Sequence, residues 1–175
     1  MFEASNRSYC HEPSPRTADR AAGRSLGEQS RRLRDLHVAW MVDAGDFFYQ
    51  FWPGVAVEER TEWPNLRYLS LTTKLLRTRH CDPLLQAAAA AAERMPKLLT
   101  MELWGIGVSV GLGFAYSVQD RNHTIFVSKE MAACTLESAT IRAWQRVVDI
   151  RGSPCNLEFD VKQLRLKYQG SAGDV

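Results

Sequence analysis

A chain of 175 residues, 45% hydrophobic and 24% charged, has the length and apolar content for one folded domain. That balance excludes a wholly disordered polypeptide, and no apolar run approaches the ~20 residues that span a bilayer. A net charge of +2 is too small to point to nucleic acid by itself.

Residues 1–30 are rich in Ser, Pro, Arg and Gly and show no apolar period, so they read as a disordered arm. Residues 1–34 hold seven arginines against Glu3, Glu12, Asp19 and Glu28, an excess that suits an acidic partner, although a solvated tail is the commoner outcome for such a composition. The first residues form no apolar segment of the secretory kind, so the expected location is cytoplasm or nucleus. Cys10, Cys81, Cys134 and Cys155 form no C-x-x-C pair, and no histidine lies at metal-ligand spacing from them. No metal, no cofactor and no catalytic residue is expected.

The first predicted strand is 33–38, with the pattern L-x-x-L-x-V. An aromatic run follows, in which Phe47, Phe48, Tyr49, Phe51 and Trp52 precede the turn Pro53-Gly54. Such a run either fills the end of a core or forms a binding patch. These five residues, with Trp104, are the candidate partner-binding residues. Asp46 is placed to cap a short helix over the aromatics. Residues 55–62 suggest one helical turn.

The pattern returns as L-x-x-L-x-L at 66–71 and as L-x-x-M-x-L at 98–103. The three copies start 33 and then 32 residues apart, an interval that marks stacked supersecondary units. Between the second and third, Asp82-Pro83 reads as a helix start, and the run Ala87 to Ala92 as its body. Pro96 ends the helix, so this passage predicts a right-handed βαβ crossover with parallel strands.

Gly105, Gly107, Gly111 and Gly113 lack the G-x-G-x-x-G spacing and the following helix of a dinucleotide site. Runs at 114–118 and 124–128 flank a polar loop and predict a hairpin. An amphipathic helix is expected over 137–149, with Ile141, Trp144, Val147 and Val148 on one face. Leu157, Phe159 and Val161 alternate as a last strand, and 169–175 read as a frayed tail. The domain is thus expected to span 31–168.

The histidines are His11, His37, His80 and His123. His80-Cys81-Asp82 is the one tempting cluster, but neighbours in sequence seldom face one another in catalytic geometry. His37 reads as a surface residue of the first strand.

The runs DFFYQFWPG at 46–54, WPNLRYLSLT at 63–72 and LLQAAAAAAERMPKL at 84–98 make the chain resemble an uncharacterised domain found behind F-box segments in fungal F-box-like proteins. The resemblance covers roughly 31–150. It implies a leucine-rich-repeat-like α/β solenoid on the target-binding side of a ubiquitin-ligase adaptor. Residues 1–30 carry neither the helical pattern nor the Leu-Pro signature of an F-box, which puts binding to the ligase scaffold in question.

The expected fold is therefore α/β, a short repeat-like βα solenoid with parallel strands at 33–38, 66–71 and 98–103. A C-terminal hairpin and the amphipathic helix close it. The expected function is a non-enzymatic protein-interaction module with a protein partner and no membrane or nucleic-acid role. The alternative is an accessory or enzyme-like protein of a fungal biosynthetic pathway.

Overall fold

The recurring leucine pattern builds neighbouring strands. The structure, a computed structural model, describes residues 19–56, 61–105, 112–120, 122–128, 136–152 and 157–162. Strands β1 (Asp35–Asp43), β2 (Tyr68–Thr73) and β3 (Thr100–Gly105) pair in parallel. Leu36, Leu69 and Met101 lie in one rung, and Val38, Leu71 and Leu103 in the next. Period-two alternation sends these six to one face, where Leu69, Leu71, Met101 and Leu103 are fully buried. The first leucine of each copy lies ahead of its strand: Leu66 and Leu98 are buried, whereas Leu33 is exposed.

The sheet has six strands in chain order. Strand β4 (Leu112–Gln119) runs antiparallel to β3, and β5 (Asn122–Ser128) antiparallel to β4. The hairpin turn is tighter than a five-residue loop, since Gln119 already pairs with Asn122. Asp120 takes a left-handed φ of 50°, which short hairpin turns demand and which aspartate tolerates. The hairpin does not close the fold as expected. Strand β6 (Glu158–Lys162) adds beyond it, parallel to β5, and β1 and β6 are the sheet edges.

Helix α1 (Arg20–Gln29) lies within the stretch expected to be a disordered arm. Asp19 caps it by accepting from the Ala21 N–H at 2.9 Å. Its buried residues are Gly23 and Gly27, one turn apart, and Leu26 packs on the core beside them, so only one large apolar residue marks this face in the sequence. A Cβ at Gly23 would fall 2.6 Å from the Asp46 Cβ. Residues 1–18 and 163–175, including the tail expected at 169–175, lie outside the described residues.

The aromatic run folds as helix α2 (Ala44–Phe47) and a 3-10 turn at Tyr49–Phe51. The cap of α2 is Asp43, not Asp46: its carboxylate accepts from Gly45 N–H at 2.8 Å, Thr73 hydroxyl at 2.9 Å and Lys74 N–H at 3.0 Å. Asp46 sits inside the helix, where burial and then the Asp43 carboxylate raise its pKa against the pull of Arg20 and Arg24. The helical turn expected over 55–62 is not seen at its described residues, and 57–60 lie outside them.

Helix α3 (Cys81–Ala92) connects β2 to β3, and α4 (Ser138–Ile150) connects β5 to β6. The two helices pack side by side. Asp82 does not cap its own helix, which begins after His80. Its carboxylate instead accepts from the Glu137 N–H at 2.9 Å and the Thr140 hydroxyl at 2.6 Å, at the start of α4. At the other end, Arg151 donates to the carbonyls of Leu98 and Met95 at 2.6 and 2.7 Å. Helix α4 is thus tied at both ends to the region around α3.

Truncation of Leu69 to alanine is expected to destabilise the fold by about 2–5 kcal/mol in chemical denaturation, since its site in the rung is closed on all sides. Loss below about half a kcal/mol would remove Leu69 from the core. Gly23→Leu is expected to cost about 1–3 kcal/mol, because α1 cannot keep its distance from Asp46 with a side chain between them.

Candidate functional site

The structure divides the six aromatic candidates. Phe47, Phe48 and Phe51 are buried around Trp63, with the Phe47 ring stacked on the indole at 5.5 Å. They fill the end of the core and offer nothing to a partner in the folded chain. Tyr49 is 38% exposed and carries the Arg24 guanidinium 3.6 Å from its ring centroid. Trp52 and Trp104 are half-buried. Tyr49, Trp52 and Trp104 therefore remain accessible.

A more exposed apolar pair lies on β1. Val38 pairs with Leu71 and Asp43 with Thr72, so four residues of β1 intervene between consecutive positions of β2. This is an enlarged bulge on an edge strand. Val42 returns to the core, while Trp40 is 57% and Met41 74% exposed. Trp40 holds a φ of 67°, a strained region for a bulky residue. Its N–H is satisfied by the Thr72 hydroxyl at 2.8 Å. On the other side, Thr72 pairs with Trp104, whose indole N–H donates to Glu102 at 3.1 Å. Two tryptophans thus flank Thr72 where the parallel strands end.

His80-Cys81-Asp82 does not converge. His80 is exposed, Cys81 is buried, and the Asp82 carboxylate is engaged by α4. Among the described residues, no group of three or more His, Cys, Asp or Glu is placed to hold a metal ion. No helix among them is long and apolar enough to cross a membrane.

A cleft of about 650 Å³ opens at the opposite end of the sheet, between the turn after α3, the β4–β5 hairpin and the C-terminus of α4. His123, Arg151, Lys97, Leu99 and Ile150 are among its lining. His123 was expected in a loop, but it is the second residue of β5 and is buried. Its Nδ1 lies 2.7 Å from the Tyr116 hydroxyl. Burial pushes the Tyr116 pKa up to about 12, so the hydroxyl keeps its proton. Donation to Nδ1 leaves no buried hydroxyl hydrogen unpaired, and it sets the neutral imidazole to carry its proton on Nε2. Burial, aided by the Arg151 charge, lowers the His123 pKa. Burial also lowers that of Arg151, which lies 5.6 Å from the Tyr116 ring centroid.

A lowered folded-state pKa has a defined consequence for stability. Below the ordinary value of 6.5 the unfolded chain protonates this histidine while the folded chain resists doing so. The contribution is complete above that pH and is lost as pH falls toward the folded value. The urea midpoint of the wild type is expected to drop between about pH 7.5 and about pH 5.5, and that of His123→Gln to drop less. Equal slopes would rule out His123 as the source.

The bulge and the cleft are surfaces of a chain matched over residues 1–175 by one family model, described as a family of unknown function. No curated protein and no solved structure matches the chain. The chain belongs to this family of unknown function, DUF6546.

Proposed function

We propose that this protein is a non-enzymatic protein-interaction module whose contact surface centres on the β1 bulge. The observation that carries the reading is Trp40 and Met41 held outward within a four-residue bulge on a sheet edge. Collapse of both side chains onto the core would remove apolar area from water, yet the left-handed φ at Trp40 keeps them exposed. Tryptophan is enriched among residues that dominate binding energy, and methionine adapts to irregular partner surfaces.

The repeat-like reading of the first three strands has support of its own. Leu36, Leu69 and Met101 are spaced like the copies of the pattern and meet in one rung. Such stacks present their strand ends as binding surfaces. By its resemblance, the module acts as the target-binding part of an F-box-type ubiquitin-ligase adaptor, with a protein target at the bulge. The intended partner is a protein segment with an apolar pocket for the indole.

The test is affinity purification of the full chain from its native cells, followed by reconstitution of the recovered complex from pure components. The paired change Trp40→Ala with Met41→Ser is expected to weaken the reconstituted complex at least about tenfold, with thermal stability kept. Recovery of ubiquitin-ligase scaffold subunits supports the adaptor reading. A complex that the paired change leaves unaltered would overturn the bulge as the contact surface.

A further inference from the structure

The cleft at the far end of the sheet contains a positive charge that no carboxylate among the described residues neutralises. Arg151 forms no ion pair with any Asp or Glu among the described residues; the ion pairs there join Arg94 to Glu62 and Arg146 to Glu93. Its protein acceptors are two backbone carbonyls. Carbonyls are dipoles, so they orient the guanidinium and satisfy two of its donors while leaving its net charge in place.

Lys97 reinforces that sign, while the His123 imidazole is neutral. Lys97 donates to Asn65, a neutral acceptor, at 2.8 Å. Glu93 also lines the cleft, but Arg146 lies 3.4 Å from its carboxylate. His123 Nε2 makes no hydrogen bond among the described residues. The remaining lining is largely apolar, with Leu99, Val118 and Ile150 prominent. Positive groups beside apolar walls in a concave site fit an anionic head on a hydrocarbon body.

We infer that the cleft between the turn after α3 and the C-terminus of α4 binds a small organic acid, its carboxylate drawn to Arg151 and Lys97 and its apolar body laid against Leu99, Val118 and Ile150. This site is separate from the β1 bulge, so each reading can fail without the other. Ile150 is 63% exposed at the rim, which lets it be changed without opening the core.

The test is titration of the full-length chain with octanoate, followed by NMR of the His123 ring. Saturable shifts of the His123 resonances are expected, and octanamide and acetate should each bind at least about tenfold more weakly. Lys97→Met should weaken octanoate, and Ile150→Glu should weaken it further by setting a carboxylate at the rim, with the melting temperature unchanged. The proposal is overturned by no saturable shift up to about 10 mM octanoate. Equal binding of octanamide, or unaltered binding by Ile150→Glu, would also overturn it.

Discussion

The structure depends on burying a helix of alanines from several sides at once. In α3, Ala87, Ala88, Ala89, Ala91 and Ala92 are all closed to solvent. Helix α4 packs on it, as do the aromatic 3-10 turn and a second 3-10 turn at Leu75–Arg77. Only a helix with a methyl at each of these positions can be approached so closely around most of its circumference. The alanines themselves contribute little apolar area. Their effect is to let Leu69, Leu71, Trp63 and Trp144 bury theirs. A larger residue in this run would push its neighbours away from the helix.

That packing also positions the surfaces. Helix α4 lies against α3, so its two ends fall where Asp82 and Arg151 can hold them. The cleft opens where α4 ends, beside the turn after α3 and the hairpin. The bulge has a different origin. Strand β1 is an edge, so four residues can leave the ladder without breaking hydrogen bonds on a second side. A central strand could not release Trp40 in this way.

The parts of the fold legible in the sequence are those where local preference and tertiary contact agree. The strands at 66–71 and 98–103 carry period-two leucines, and the helix between them has alanines and a proline stop, so both signals pointed one way. Helix α1 was hidden because its buried residues are Gly23 and Gly27, which signal loops in isolation. Asp82 has the form of a local cap, but its carboxylate serves a helix more than fifty residues away. The aromatic run was recognisable as either core or patch, and only packing against Trp63 decided for the core at Phe47, Phe48 and Phe51. Trp40 gave no sign at all. Continuing the alternation of Leu36 and Val38 would put it inside, and no glycine marks the left-handed φ. His123 falls in the polar stretch between two strand runs, and only the tight turn at Asp120 brings it into β5 opposite Val118.

The two fully buried tryptophans show how far the folded unit extends. Trp144 lies among Phe114 and Tyr116, and its indole N–H has no hydrogen-bond partner among the described residues. Leaving that donor buried costs about 1–3 kcal/mol, which the ring must offset by the shape it fills between helix and sheet. Trp63 is treated differently. Its N–H donates to the Ser30 hydroxyl at 2.8 Å, and that hydroxyl donates to the Gly27 carbonyl at 3.1 Å. This relay runs from the aromatic end of the core into the last turn of α1. Ser30 is itself buried, so removing α1 would strand the Trp63 donor and uncover the Phe47 cluster together. The segment with an arm's composition is therefore structural from Asp19 onward, held by glycines that fit and by one serine that completes a hydrogen bond.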